Sequence, residues 1–471
     1  MKFIDRKQEM SRLMRATSTE GAGLVIVWGR RRLGKSRLLT EWSKQTNGIY
    51  WVADESAPPI QRQYLAEALH TAFPGFADVP YPDWTTLLNR LSRDARQSNW
   101  RGPLILDEFP YLVSGAPELP SVLQKWVDRE KREGGILLAL SGSSQRMMMD
   151  SILNAEAPLY GRAEQVLKLD PLLPGYIGDA SGMTSPQALL DFYTCWGGVP
   201  RYWELATPFQ DRHREALDEL VLSPLGVLHD EVERLLRQEM PSAIPLRPIL
   251  DAIGLGARKS SEIAARLQTH ATSLTRSLHQ LQQLGYVHRE VPYGENEKRS
   301  KKALYQLADP FLRLWFKAVA PHRGSLRTAP KAARLKLLDN DWAHLRAEAW
   351  EDLCRLAIPR LGLFNREWHT AGRYWQGNQS EWDVASTSLD QAAIILGECK
   401  SLARPAGQVD IERIVRDLMA KRPPSTLDGG NQILEYVIFV PELGKTAVSL
   451  PANITIVDGN RIFTALKETE E

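Results

Sequence analysis

Cysteine is scarce in this sequence: three residues, at 195, 354 and 399, with no Cys-x-x-Cys pair among them. That spacing disfavours a disulfide framework and a structural zinc site, and it suits a reducing compartment. Long apolar runs are missing as well. The opening MKFIDRKQEM has no apolar signal core, and the longest apolar stretches are too short to span a bilayer, so the expected address is the cytoplasm. Neither sign of charge dominates: 59 Lys and Arg against 57 Asp and Glu leave a net +2. Any nucleic-acid surface must therefore come from local clustering. The nine His residues form no H-E-x-x-H and no finger spacing, and no G-x-S-x-G elbow occurs, which leaves zinc hydrolysis and acyl transfer without support. Repeats and low-complexity runs are absent. What remains is a chain of 471 residues, 43% hydrophobic and 25% charged, long enough for several globular domains. Its 14 Trp residues scatter through the whole length and read as packing anchors.

Residues 24–28, Leu-Val-Ile-Val-Trp, form a short continuous apolar run, the pattern of a parallel strand covered on both faces. Directly after it stands Gly29-Arg30-Arg31-Arg32-Leu33-Gly34-Lys35-Ser36, then Arg37 and a stretch with helical apolar spacing. This is G-x-x-x-x-G-K-S between a strand and a helix. Such a loop uses glycine to turn backbone N–H groups around phosphates, Lys35 to neutralise the β and γ oxygens, and Ser36 to place a hydroxyl on Mg²⁺. ATP and Mg²⁺ are the cofactors it predicts.

A phosphate loop of this kind needs a second, acidic strand, and Pro103-Leu104-Ile105-Leu106-Asp107-Glu108 supplies one. Asp107 is expected to hold the metal through water and Glu108 to polarise the attacking water. A third apolar run, Ile136 to Leu140, ends in Ser141-Gly142-Ser143-Ser144. Those serines fit a γ-phosphate sensor beside the acidic strand and equally fit a turn and helix cap.

Six blocks carry a resemblance that covers nearly the whole chain. They are Phe3-Ile4-Asp5-Arg6-Lys7-Gln8-Glu9, Trp28-Gly29-Arg30-Arg31-Arg32, Leu106-Asp107-Glu108-Phe109-Pro110-Tyr111, Ser141-Gly142-Ser143-Ser144, Pro158-Leu159-Tyr160-Gly161-Arg162 and Gly197-Gly198-Val199-Pro200-Arg201-Tyr202. In this order they resemble the archaeal-type AAA+/STAND-like ATPases that carry a winged helix and a C-terminal nuclease-like domain. The resemblance implies that Arg162 acts as an arginine finger or γ-phosphate sensor, and that the Gly-Gly-Val-Pro segment belongs to a helical lid near the nucleotide. Read alone, Arg162 also fits an ordinary surface ion pair.

Residues 247–310 contain two helical patterns, Ser261 to Leu267 and Thr272 to Leu284, separated by a polar turn. Two strand-like runs follow, Tyr286 to Val291 and Leu304 to Leu307, flanking a basic wing. Lys298, Arg299, Lys301 and Lys302 are expected phosphate contacts, and Arg276, with Thr272, Ser273, Thr275 and His279, is expected on a recognition-helix face. The other reading is a winged helix that only packs against the motor and leaves its basic hairpin to solvent.

From Pro321 to Leu338 the chain is basic and broken by Pro and Gly, the composition of a linker, and a helix is expected from about Trp342 to Ile358. That helix holds Glu351. Then come Glu381-Trp382-Asp383 and the apolar run Ala392 to Gly397, which ends in Glu398-Cys399-Lys400. Side chains alternate along a strand, so Glu398 and Lys400 share a face and can meet Asp383 from a neighbouring strand. Asp383 and Glu398 would hold Mg²⁺ against a phosphate while Lys400 positions or deprotonates water. The arrangement resembles the PD-(D/E)XK nuclease fold, with Asp383, Glu398 and Lys400 as the core and Glu351, or Glu348, as the helical acid. No Pro precedes Asp383. The other reading is a degenerate fold whose acids and lysine form a solvated ion-pair cluster.

The expected architecture is α/β throughout: a P-loop AAA+ type ATPase domain (1–165), a helical lid (166–240), a winged helix-turn-helix (241–320) and a C-terminal α/β restriction-endonuclease-like domain (321–471). The expected activity is ATP hydrolysis coupled to DNA binding and Mg²⁺-dependent DNA cleavage, with DNA and a second copy or regulatory protein as partners. The other expectations are a STAND-like regulatory switch and an ATP-dependent DNA-binding or transcription protein with an inactive nuclease fold.

Overall fold

The computed structural model describes residues 2–18, 23–133, 135–143, 148, 152, 154–239, 246–377, 379–424, 432–445 and 449–467. Ser144 lies outside them. The chain divides into two compact units, one built mainly from Arg6–Pro171, the other from Leu172–Arg234 with the C-terminal half.

In the first unit, helix α1 (Lys7–Ser18) precedes five parallel strands: β1 (Leu24–Trp28), β2 (Ile49–Val52), β3 (Leu104–Asp107), β4 (Leu138–Gly142) and β5 (Ala163–Lys168). Their order is β2-β3-β4-β1-β5. The three interior strands, β3, β4 and β1, are the buried, largely apolar ones. Leu24, Val25, Ile26 and Val27 are buried, as a strand covered by helices on both faces requires. Because the strands run in parallel, their C-terminal ends gather on one edge: β1 delivers the phosphate loop there and β3 delivers Asp107. Helix α2 (Lys35–Gln45) starts inside the loop motif itself.

The second unit begins with short helices, among them Pro186–Trp196 and Pro200–Ala206. Helices Ser260–Arg266 and Thr275–Gln283 follow, then an antiparallel pair, β6 (Val287–Glu290) and β7 (Leu304–Leu307). A mixed sheet closes the chain: β8 (Gly372–Tyr374), β9 (Trp382–Thr387), β10 (Ala393–Cys399), β11 (Ile433–Val440) and β12 (Ile454–Asp458), in the order β12-β11-β10-β9-β8. β8, β9 and β10 run antiparallel, whereas β10, β11 and β12 run parallel. The parallel crossover from β10 to β11 is made by the helix Gln408–Ala420, whose buried Ile411, Ile414 and Leu418 face the sheet core.

One expectation is corrected here. The basic stretch 321–338 is not a linker: it contains the short helix Arg323–Leu326 and the first turns of a long helix that runs from Lys331 to Ala357. Its first turns are fastened by tertiary contacts that composition does not reveal: Arg334 forms a bidentate pair with the buried Asp218 at 2.7 and 2.8 Å, and Leu338 is buried. The segment carrying Gly197-Gly198-Val199-Pro200 packs with this C-terminal half. Trp196 stacks on Phe311 and Tyr202 lies 4.4 Å from the same ring. Arg346, in the long helix, donates to Asp191 Oδ1 at 2.7 Å and to Ser401 Oγ at 2.9 Å, joining the Pro186–Trp196 helix to the segment just beyond Lys400.

Candidate functional site

Two constellations stand out, one in each unit. In the first, the phosphate loop is wound by residues in left-handed or glycine-specific conformations. Gly29 has φ 148° and Gly34 φ 86°, and Arg32 adopts φ 68° between them. A Cβ on Gly29 would meet the Leu169 carbonyl at 2.8 Å, so the position excludes any larger residue. Lys35 is buried and donates from Nζ to the carbonyls of Gly29 (2.8 Å) and Arg30 (3.1 Å), which folds the ammonium back across the loop. Arg6, from the N-terminal block, supports the loop from outside by donating to Leu33 O (3.1 Å) and Asp170 O (2.6 Å). Arg30 is buried, Arg31 and Arg32 are half-buried, and the exposed Arg37 pairs with Glu41 one turn along α2.

Asp107, at the end of β3, reaches the same edge. Its Oδ2 accepts from Ser36 Oγ at 2.6 Å and from Tyr50 Oη at 2.7 Å, while Oδ1 accepts from the Glu108 N–H at 2.9 Å. Burial, followed by the Asp107 charge, pushes the Tyr50 phenol well above its ordinary pKa, so its proton stays in place for Asp107. Glu108 sits at φ 52°, a strained position at the turn into the next helix, and its Oε2 accepts from Ser143 Oγ at 2.9 Å. Ser141, on β4 beside β1, buries its hydroxyl with no hydrogen-bond partner among the described residues. A Mg²⁺ ion bound with nucleotide fits this edge, since the Ser36 hydroxyl and the Asp107 carboxylate it would join already meet.

Arg162 is held elsewhere. It donates from Nε and Nη2 to Asp128 at 2.9 and 3.2 Å and from Nη1 to Pro158 O, so here it forms a bidentate ion pair with the helix Leu119–Glu133.

In the second unit the antiparallel register of β9 and β10 pairs Leu396 with Ala385 and Gly397 with Val384. Extended by one residue, it sets Asp383 across from Glu398. Asp383 Oδ2 accepts from the Cys399 N–H at 2.9 Å, and Lys400 Nζ donates to Glu398 Oε2 at 2.9 Å. Glu398 is 4% exposed. Burial, then the Glu398 charge, raises the Asp383 pKa; the Cys399 N–H, Lys400 and Lys421 act against that rise. Glu351 projects from the Lys331–Ala357 helix toward the same place, and burial together with Asp383 pushes its carboxyl up to about 7. Burial works against the charge on Lys400, but Glu398 and Asp383 outweigh it and hold the ammonium above its ordinary pKa. Glu348 pairs with Arg258 and His344, whereas Glu351 pairs with Arg355, which also donates to the Asp383 carbonyl at 3.0 Å.

At Glu398 a further cation escapes sequence reasoning. Lys421, at the end of the Gln408–Ala420 helix, forms an ion pair with Glu398 Oε1, donates to Glu381 O at 2.9 Å and lies 5.2 Å from the Trp382 ring centroid. It stands far from Lys400 in the chain, so no local spacing signals it. Among the described residues no group of three or more His, Cys, Asp or Glu side chains is gathered to hold a metal ion. Two carboxylates with water suffice for Mg²⁺, and Asp383 and Glu398 are the pair that would hold it.

The basic hairpin is partly docked. Tyr293 N–H donates to Arg373 O at 2.8 Å, and its hydroxyl donates to Thr387 Oγ1 at 3.0 Å. Lys302 pairs with Glu295. Lys298, Arg299, Lys301 and, on the Thr275–Gln283 helix, Arg276 are exposed.

A family described as an ATPase domain predominantly from Archaea matches residues 3–202. A second, described as archaeal and bacterial proteins of unknown function, matches residues 315–409. An uncharacterized protein of Methanocaldococcus jannaschii is 25% identical over 430 residues, which is 90% of this chain and 93% of that protein. Among solved structures, a Walker-type ATPase of Pyrococcus abyssi aligns with a TM-score of 0.51 at 18% identity, covering 67% of this chain and 96% of that one. Residues 3–202 thus resemble an ATPase domain predominantly from Archaea, and their parallel α/β sheet has the fold of a P-loop ATPase. Among the described residues, no helix is long and apolar enough to cross a membrane.

Proposed function

We propose that this protein couples ATP binding and hydrolysis to DNA binding and to Mg²⁺-dependent cleavage of DNA by its C-terminal α/β half. The observation that carries the reading is the convergence of Asp383, Glu398 and Lys400, from two neighbouring strands and the residue just beyond, with Glu351 arriving from a helix. Asp383 and Glu398 would hold Mg²⁺, which when bound polarises a phosphoryl oxygen and lowers the pKa of its water. Lys400, held as an ammonium by the carboxylates around it in the metal-free site, would position or deprotonate the attacking water. Glu351, titrating near neutrality, holds or releases a proton at its carboxyl beside Asp383.

In the ATPase domain Lys35 would turn from the loop carbonyls to the β and γ phosphates, Ser36 and Asp107 would share the metal, and Glu108 would orient water. Arg162 would serve a γ-phosphate only after its Asp128 pair opens. The helices Ser260–Arg266 and Thr275–Gln283 with the β6–β7 hairpin form the proposed winged helix, with Arg276, Lys298, Arg299 and Lys301 toward DNA and Lys302 in reserve behind Glu295.

The test is substitution of Lys400. Lys400→Ala is expected to abolish Mg²⁺-dependent DNA cleavage and leave ATP hydrolysis intact; unchanged cleavage would reject the site. A second reading, a nucleotide-operated regulatory switch, is favoured by one observation: the Pro186–Trp196 and Pro200–Ala206 helices belong to the same compact unit as the C-terminal half. Slow turnover with retained nucleotide and no cleavage would favour the switch.

A further inference from the structure

Glu398 is clasped on both oxygens. Lys400 takes Oε2, and Lys421, from a different element, takes Oε1. A buried carboxylate so neutralised has no oxygen free of a cation. A divalent metal arriving at Glu398 competes with an ammonium already in place on either oxygen.

The two lysines differ in what they keep after leaving. Among the described residues Lys400 Nζ hydrogen-bonds Glu398 alone. Lys421 Nζ also donates to the Glu381 carbonyl and lies near the face of Trp382, and its side chain is 30% exposed. Letting go of Glu398 therefore leaves Lys421 with a hydrogen bond, an aromatic face and water, so its ammonium is not stranded. Lys400, whose side chain is 40% exposed, would keep only water.

From this geometry we propose that Lys421 is a functional residue of the C-terminal site: a resident cation that holds Glu398 closed and yields its oxygen to an entering divalent metal. The inference rests on the reading of Asp383 and Glu398 as metal ligands. Lys421 acts through Glu398 and is a positioning residue. Its place at the end of the Gln408–Ala420 helix ties metal access to the position of that helix, which no residue of the Glu398-Cys399-Lys400 motif can do.

The experiment is a Mn²⁺ titration of the full-length, nucleotide-free protein, following free Mn²⁺ by electron paramagnetic resonance. The site is defined as the binding that Asp383→Asn removes. Lys421→Met keeps the aliphatic stem over Trp382 and removes the competing charge; Lys421→Arg keeps the charge; circular dichroism checks that each is folded. The expected result is Mn²⁺ binding about tenfold tighter in Lys421→Met, with Lys421→Arg near wild type. Binding seen in Lys421→Met alone would support the proposal equally. Asp383-dependent binding of the same affinity in Lys421→Met and wild type would overturn the gate and leave the metal-site reading standing. If neither protein shows Asp383-dependent binding, both fall. Tighter Mn²⁺ binding without DNA cleavage by any form would uphold the gate and reject the cleavage reading.

Discussion

Ser36 Oγ and Asp107 Oδ2 lie 2.6 Å apart, a hydrogen bond that joins the first turn of α2 to the end of β3 across 71 residues of sequence. These are the hydroxyl and carboxylate that a nucleotide-bound Mg²⁺ would share, brought together by the parallel sheet alone. Asp107→Asn is expected to cut ATP hydrolysis on the order of 10²-fold while nucleotide still binds. Steady-state phosphate release, set against binding of a fluorescent ATP analogue, separates the two effects. Equal losses in both would mean that Asp107 only holds the fold.

Tyr50 donates to the same Asp107 oxygen from β2, at the sheet edge. Tyr50→Phe removes that donor and no packing volume. Asp107 retains Ser36 and the Glu108 N–H, so the expected cost is modest, about 1 kcal/mol in urea unfolding. A variant as stable as wild type would show that solvent replaces the phenol without penalty.

Glu351 predicts a pH dependence whose sign follows from its raised pKa. Burial and Asp383 lift its carboxyl to about 7 from an ordinary 4.5, so the folded state holds the proton more tightly than the unfolded chain does. Its contribution to stability is present below about pH 4.5 and is lost as the pH rises through about 7. Glu351→Gln should therefore melt at a higher temperature than wild type at pH 8 in the absence of divalent metal, and this gain should shrink as the pH falls from 7 toward 4.5. Melting curves across that window check it; a gain independent of pH would contradict the assignment.

Much of this is legible in the sequence because the chemistry is local. Gly29 to Ser36 carries its own geometry, and strand alternation with the order of the runs is enough to place Asp383, Glu398 and Lys400 together. What escapes depends on packing between elements far apart in the chain. Lys421 reaches Glu398 only through the crossover helix, and Tyr50 reaches Asp107 only because β2 lies beside β3. The stretch 321–338 has the composition of a linker, yet Arg334 and Leu338 find partners that fix it as helix. Resemblance to a family singles out Arg162, but its pair with Asp128 cannot be read from spacing.

The exposed wing residues make an electrostatic prediction. Replacing Lys298, Arg299 and Lys301 together with alanine should weaken binding to duplexes of any sequence. It should also lower the slope of log affinity against log salt by about 0.9 for each phosphate that the wing neutralises. Fluorescence anisotropy between low and physiological salt measures both. An unchanged slope would assign the wing to packing against the protein.

The central claim, that a nucleotide-operated ATPase and a metal-dependent DNA-cleaving centre share one chain, is tested most directly by cleavage of linear, circular and single-stranded DNA with Mg²⁺. Wild type, Lys35→Ala and Lys400→Ala are compared, each with and without ATP. The account predicts that Lys400→Ala cuts nothing yet hydrolyses ATP normally, and that Lys35→Ala loses the ATP-dependent part of wild-type cleavage. A wild type that hydrolyses ATP and cuts no DNA under any of these conditions would contradict it.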